Sequence, residues 1–479
     1  MSEALLFRSI HAVLEREGLW RKEAVLLAAV SGGADSVALL YGLAVMRREV
    51  GFRLFACYVQ HGLRGEASLQ DEALVRSLCD SLEVPLHVMS ADLGMTMDDP
   101  GVETVARERR RQLFATCMES VEADALLTGH HMDDQAETVL LRLMRGAGAK
   151  GLGGMASSTP FGRGVMLRPL LPLKKAELQD VLTQNGIPWR HDESNDRCCT
   201  PRNALRLKTL PRMETLFPDA ARHIAQAADS LREDEACLDE GATALYRQAL
   251  CDFPGVFAVQ AGPLLAAPIA LRLRALRRLY RESLTVCGLA PEERELSRQD
   301  SLALDVFLLD ARPGMSLNLP CGLSALRGRA YLHVTFQGGA PICAAKPPRP
   351  VALRAVAGRV EIARTVLELS PGMPPLATDE RQVCLPAALL TQCELRTPRA
   401  GDEIRPLGAP GSKPLRRFLT DRRIDAPFRP WLPLLAAGKR VLWIPGLVTG
   451  EELRRQEHTE PWTLTVTSPK TDFPYEMKE

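Results

Sequence analysis

The chain lacks a Cys-x-x-Cys pair, an excess of charge of either sign and any apolar run long enough to span a bilayer. Twelve cysteines occur in 479 residues, but no two lie three positions apart. Cys198 and Cys199 are adjacent, which suits neither a zinc site nor a bond between the two. The absence argues against a cysteine-paired metal or redox centre, and the simple reading is reduced thiols in a cytoplasm. Net charge is +1, so any nucleic-acid binding must come from local patches. The opening MSEALLFRSIHAVLEREG carries three acids and no long apolar core, so a secretory signal is not expected. No internal repeat or low-complexity segment is evident.

What is present begins with VLLAAVSGGADSVALLY, residues 25–41. Val25 to Val30 reads as a strand buried on both faces. Ser31-Gly32-Gly33-Ala34-Asp35-Ser36 turns the chain, and a helix follows from Val37. Strand, glycine-rich turn and helix aim backbone N–H groups and a helix N-terminus at an anion. Asp35 does not suit a bare anion and reads as a metal or hydrogen-bond partner. A plain helix cap is the competing reading. The Lys of a Walker-type loop is missing.

The length implies two to four domains. A helix is expected over 3–17, strands over 52–59, 86–90 and 125–128, and helices over 68–82 and 103–119, after the GHHMDDQAET stretch as far as Met144, and over 174–185. The 103–119 helix is basic, with Arg107, Arg109, Arg110 and Arg111. This alternation implies a doubly wound parallel α/β sheet with ligands at the carboxyl ends of its strands. Gly146, Gly148 and Gly151 form a GxGxxG that follows a helix, so the dinucleotide context fails and a flexible loop is expected. Trp189 to Arg206 reads as a polar loop leading into a helix. Residues 211–290 read as helical, with an arginine-rich segment at 271–282 whose charged face is expected to be solvated. Residues 301–337 read as β-rich, and 341–350 as a proline-rich linker. The expected domains are therefore 1–211, a mostly helical 212–341, and a small α+β domain at 351–479. The last contains the basic stretch 396–430, with nine Arg or Lys against four acids.

Asp133, Asp134 and Glu137 follow the 125–128 strand. Spacings of three and four place two of these carboxylates on one helix face. Such a cluster suits Mg²⁺ or a general base. Helix capping accounts for one or two acids, but not for His130 and His131 just ahead.

SGGADS resembles the SGGxDS PP-loop of ATP pyrophosphatases. GHHMDDQAETVLLRLMRGAGAKGLGGM resembles the signature of the tRNA(Ile)-lysidine synthetase family, and HGLR at 61–64, LRPLL at 167–171, SND at 194–196 and PRN at 201–203 agree. PRAGDEIRPLG and GSKPLRRFLTDRRI are similar to that family's C-terminal motifs. The resemblance implies a PP-loop ATPase fold in the first domain and ligation of L-lysine to the wobble cytidine of tRNA(Ile) with a CAU anticodon. ATP would adenylate the oxygen at carbon 2, and the lysine ε-amine would displace AMP. Ser31, Gly32, Gly33, Ala34, Asp35 and Ser36 would hold the pyrophosphate, with Asp35 toward Mg²⁺. Asp134 and Glu137 would orient the lysine amine and the metal and take a proton. Arg110 would lie near the phosphates and Arg202 near the activated cytidine or the phosphate. Arg416, Arg417 and Lys413 would grip tRNA. No membrane is involved, the location is cytoplasmic, and a homodimer is left open.

Two positions depart from the family pattern. Arg111 stands where a Tyr is common, and Thr200 where an aromatic residue is common. Two rival readings are a PP-loop tRNA thiolase, which would need a cysteine relay or an iron–sulfur cluster, and a non-catalytic RNA-binding protein that holds ATP as a structural ligand.

Overall fold

The computed structural model describes residues 2–60, 66–91, 102–190, 200–251, 253, 255–290, 294–342, 348–363, 365–373, 380–454 and 460–467. The HGLR and SND motifs, Cys198 and Cys199 lie outside these residues. Packing divides the chain into two compact units, residues 1–237 and 238–479.

In the first unit, helix α1 (Ser2–Arg16) precedes strand β1 (Val25–Ala29), α2 (Ala34–Val50), β2 (Arg53–Gln60), α3 (Glu66–Ser81) and β3 (Leu86–Ser90). Then come α4 (Val102–Val121), β4 (Ala125–Leu127), α5 (Met132–Met144), the single turn α6 (Ala149–Leu152), a hairpin of β5 (Ser158–Phe161) and β6 (Gly164–Leu167), and α7 (Lys175–Gln184). The sheet order is β3-β2-β1-β4-β6-β5. All neighbours are parallel except the edge strand β5, which pairs antiparallel with β6.

β1 shows why the sheet is wound on both faces. Leu26 and Ala28 enter a core with α1, α2, α3 and α7, while Val25 and Leu27 enter another with α4. A strand apolar on both sides must be covered on both sides. The chain runs outward from β1 through β2 to β3, then crosses back to β4 on the other side of β1. That reversal opens a crevice at the carboxyl ends of β1 and β4, where ligands bind in such sheets.

After residue 199, α8 (Pro201–Ala204) runs into a π-helical turn (Leu205–Thr209), then α9 (Leu210–Leu216) and α10 (Ala220–Ala249). Single π turns inside helices recur at functional sites.

The second unit has a sheet of β7 (Ala258–Gln260), β8 (Ser316–Asn318), β9 (Leu323–Arg327) and β10 (Tyr331–Phe336), covered by α11 (Ala261–Ala266), α12 (Ile269–Val286) and α13 (Arg298–Asp310). The β-rich reading of 301–337 thus holds only from residue 316, because residues 301–310 lie in α13. Beyond residue 350, one sheet takes β11 (Val351–Ala352), β15 (Glu394–Arg396), β16 (Glu403–Ile404), β17 (Lys413–Pro414), β18 (Leu434–Ala437), β19 (Arg440–Ile444) and β20 (Val448–Thr449). A second takes β12 (Gly358–Ile362), β13 (Thr365–Pro371), β14 (Gln382–Pro386) and β21 (Pro461–Val466). The short helices α14 (Ala387–Leu390) and α15 (Leu415–Asp421) complete the unit. Val256, Ala258 and Tyr331 share a core with Leu415, Phe418 and Trp431, so the segments on either side of the proline-rich stretch pack as one body. Among the described residues no helix is long and apolar enough to cross a membrane.

Candidate active site

β1 and β4 are hydrogen-bonded neighbours, so the turns that follow them lie side by side. The first is the SGGADS loop. The Ser36 hydroxyl accepts from the Ser31 backbone N–H at 3.0 Å and donates to the Gly33 carbonyl at 3.0 Å. Its oxygen lies 3.2 Å from that of Ser31. Gly32 has φ +85°, a left-handed conformation that glycine adopts without strain. Gly33 then caps α2 with its backbone alone.

The second turn begins at Gly129. A Cβ there would stand 2.9 Å from the Asp35 carbonyl carbon and the Ser36 nitrogen, so only glycine lets the two turns meet. The Thr128 hydroxyl lies 2.8 Å from His130 Nδ1. Burial pushes the His130 imidazole down to about 4, so it is neutral at pH 7. His131 is as buried but differently placed. Its Nε2 is 3.5 Å from Asp35 Oδ2 and 3.4 Å from Asp134 Oδ2, and its Nδ1 is 3.4 Å from Asp133 Oδ2. Burial alone would lower this imidazole too. The carboxylates of Asp133, Asp35 and Asp134 outweigh it and hold the ring protonated, with a pKa of about 10.

The expected i, i+3 pair, Asp134 and Glu137, shares one face of α5 and meets two arginines. Arg202 Nε donates to Glu137 Oε2 at 2.8 Å, and its Nη2 to Asp134 Oδ1 at 3.3 Å. Arg206 Nε donates to Glu137 Oε1 at 2.6 Å, and its Nη2 to Asp134 Oδ1 at 3.0 Å and Glu137 Oε2 at 3.1 Å. Glu137 is fully buried. Burial would raise the Asp134 carboxyl, but His131, His130 and the two arginines hold it below the usual carboxylate range. The helix-capping alternative is also real: Asp134 Oδ2 accepts from the His131 backbone N–H at 3.2 Å.

The glycine-rich stretch after α5 is tied down by the helix itself. Gln135 bonds the Met155 N–H and carbonyl at 2.7 and 2.9 Å, and Arg142 donates to the carbonyls of Gly151 and Gly154 at 2.8 Å each. The loop expected at 146–151 therefore includes the α6 turn. The two departures from the family pattern have local explanations. Thr200 Oγ1 accepts from the Asn203 N–H and caps α8, and Arg111 stacks 5.2 Å over Phe161.

The structure thus brings Asp35, Asp134, Glu137 and Arg202 into one network. Arg110 is exposed on α4, on the other face of the sheet from α2. Arg206 and the bridging role of His131 were not expected. Arg206 stands four residues after Arg202, the spacing that puts two side chains on one helix face, and that was the available signal. A cavity of about 450 Å³ adjoins the network, lined by His131, Asp133, Glu137, Lys174, Lys175 and Arg206 among others.

In the second unit, Arg416 and Arg417 are exposed on α15. Lys413 is engaged with Asp421 at 2.9 Å. Arg396 is withdrawn from the surface altogether and clasps Asp402, so it cannot belong to a basic patch. Arginines of the 271–282 segment are also bound within the fold: Arg272 to Asp305, Arg277 to Ser301 and Arg278 to Glu282 and Thr243.

Residues 5–213 match the profile of the PP-loop domain, and residues 393–466 that of the TilS substrate C-terminal domain. The tRNA(Ile)-lysidine synthase of Shouchella clausii is 30% identical, over 97% of this chain and 99% of its own. That of Thermus thermophilus is 34% identical over 88% and 69%, and that of Symbiobacterium thermophilum 31% identical over 94% and 95%. A sheet that opens between β1 and β4, the SGGADS turn, the acidic pair on α5 and relatives aligned along nearly the whole length all agree: the chain belongs to the tRNA(Ile)-lysidine synthase family.

Proposed function

We propose that the protein joins L-lysine to carbon 2 of the wobble cytidine in the CAU anticodon of tRNA(Ile), using ATP, in the cytoplasm. The observation that carries the reading is the meeting of Asp35, from the nucleotide loop, and Asp134, from the acidic pair, at the single imidazole of His131. The loop suited to a polyphosphate and the carboxylates suited to an amine are thereby neighbours, as a two-step ligation needs.

In the first step the carbon-2 oxygen of the cytidine attacks the α-phosphorus of ATP. The bond from that phosphorus to the bridging oxygen breaks, and pyrophosphate leaves. Backbone N–H groups of Ser31 to Ser36 and the start of α2 cradle the leaving phosphates. In the second step the deprotonated lysine ε-amine attacks carbon 2, the carbon–oxygen bond to AMP breaks, and one amine proton passes by way of the acidic pair to solvent. Asp134 and Glu137 receive and orient the amine. Asp134, held ionised, suits binding an ammonium better than taking its proton. Arg202 would meet the phosphate of the activated base, and Arg110, exposed on α4, would have to reach the nucleotide phosphates around the sheet edge. The adjoining cavity carries both acids and lysines, a lining that matches a zwitterion.

The donors suit Mg²⁺. Asp35 Oδ1 is a buried carboxylate oxygen that has no hydrogen-bond partner among the described residues, as suits a hard cation. Among the described residues no group of three or more His, Cys, Asp or Glu side chains is arranged to hold a metal. An ion beside Asp35 would take its other ligands from phosphates and water. Bound there, the ion would neutralise phosphate charge and favour departure of pyrophosphate. Arg416, Arg417 and Lys413 would contact the tRNA backbone.

The test is direct. The purified protein, ATP, Mg²⁺ and a tRNA(Ile) transcript should release pyrophosphate, and adding lysine should yield AMP and lysidine. Transfer of sulfur, or turnover indifferent to lysine, would overturn the proposal.

A further inference from the structure

Resting on that reading, we propose that Arg202 and Arg206 divide the work at the acidic pair. Arg206 stays on the carboxylates throughout as a positioning residue. Arg202 is exchangeable: it leaves for the phosphate of the activated base, and the lysine ammonium takes its place.

Every carboxylate oxygen of the pair already accepts a hydrogen bond, and the two guanidiniums cover Glu137. Glu137 Oε1 is held by Arg206 and Oε2 by both arginines. Asp134 Oδ1 is shared by both, and Oδ2 accepts from the His131 N–H. Glu137 is fully buried, so stripping it of partners would leave a bare buried charge. A lysine amine that is to reach Glu137 must therefore displace a guanidinium. Geometry selects which one. Arg206 makes three contacts of 2.6, 3.0 and 3.1 Å, has 28% of its side chain exposed, and sits in a π turn continuous with α9. Arg202 makes two, of 2.8 and 3.3 Å, has 39% exposed, and sits in the first turn of α8.

Charge favours the same exchange. An ammonium replacing a guanidinium leaves the charge beside the carboxylates unchanged. The phosphate of the adenylated base supplies a new partner for the released arginine, as a fork-shaped guanidinium suits. Each buried charge thus stays paired. Lysine would bind poorly until the base is activated, because the competent state of the pair is rare while Arg202 occupies it.

Equilibrium dialysis of radiolabelled L-lysine against the full chain, without ATP or tRNA, tests this. Arg202→Gln removes the competitor, so its lysine Kd should fall about tenfold, as the share of open sites rises, even as lysidine formation collapses. Arg206→Gln should bind lysine no better than the wild type. Unchanged or weaker binding by Arg202→Gln would overturn the exchange, and equal tightening in both variants would overturn the division. If circular dichroism shows that Arg202→Gln does not fold, the wild type decides. In single turnovers by enzyme already carrying adenylated tRNA, half-maximal AMP release should need less lysine than the Kd of the free enzyme, and an equal requirement counts against the exchange. A wild type that makes no lysidine would instead remove the functional reading itself.

Discussion

Two ionic assemblies in this molecule use the same residue types to different ends. In the second unit Arg396 and Asp402 form a closed bidentate pair, flanked by Glu394, whose Oε1 lies 3.0 Å from Arg396 Nε. Both side chains are 1% exposed, and two parallel bonds of 2.8 Å join them. Arg396 also donates to the carbonyls of Thr397 and Gly438, and Asp402 accepts from the Arg399 N–H. In the first unit, two carboxylates are shared between two partly exposed arginines, and a histidine is shared among three acids. A closed pair has one stable arrangement and works as a staple. A shared network can pass a charge from one partner to another, which is what a site that admits a phosphate and an ammonium requires. The nature of the pairing separates the two roles, since charged residues are buried in both.

The largest effect expected from breaking the contrast is at Asp134. Asp134→Asn removes one shared anion without removing volume. Lysidine formation should fall by ~10²–10⁴-fold while the thermal midpoint stays near that of the wild type. Near-normal turnover in a folded variant would take Asp134 out of the site. Asp402→Asn should show the reverse pattern. It strands a buried guanidinium, and breaking such a pair costs about 3–5 kcal/mol of stability. Urea unfolding should show that loss, whereas the folded fraction should keep ordinary turnover per molecule. A stable Asp402→Asn protein would mean that the staple reading is mistaken.

A smaller effect is expected from the two adjacent histidines, which should give opposite pH limbs. The His131 pKa is raised in the fold from 6.5 to about 10, so its contribution is full below pH 6.5 and is lost as pH rises toward 10. The His130 pKa is lowered from 6.5 to about 4. The unfolded chain therefore takes up a proton that the fold refuses, and stability is lost as pH falls from 6.5 toward 4. Unfolding free energy against pH should flatten on the alkaline side in His131→Gln and on the acid side in His130→Gln. Parallel curves for wild type and variants would refute both assignments.

Local pattern made much of the first unit legible. The apolar run of β1, the glycine turn and the i, i+3 acids of α5 each declare themselves within a few residues, because backbone geometry and helix periodicity act at that range. Arg206 did not declare itself, since its partner Glu137 lies 69 positions away and only the returning chain joins them. The β5–β6 hairpin escaped notice because its strands are only four residues each. The reading of 301–310 as strand failed for a definite reason. Leu302, Leu304, Val306 and Leu308 alternate with a period of two, but Ser297 accepts the Asp300 N–H and starts a helix. Asp305 then turns inward to Arg272, a tertiary contact that outweighs the local pattern. The basic stretch was misjudged at Arg396 for a similar reason, because composition does not reveal which arginine has a buried acid waiting for it.

The smallest expected effect concerns arginines that remain on the surface. Arg416 and Arg417 are exposed on α15, whose opposite side buries Leu415, Phe418 and Leu419. If they contact tRNA phosphates, each releases about one counterion, and replacing both with Ala should lower the salt slope of binding by about two. Affinity should fall alike for tRNAs of different sequence, because phosphate contacts position the ligand without reading it. ATP binding should not change, since the nucleotide loop lies in the first unit. Arg396 sharpens the test. It belongs to the same basic stretch but is sealed against Asp402, so Arg396→Gln should lower stability without lowering the salt slope of the folded protein. Filter binding from low to moderate salt measures all three proteins. A slope unchanged in the Arg416→Ala, Arg417→Ala variant would make these two residues a solvated helix face and shift tRNA capture to other arginines.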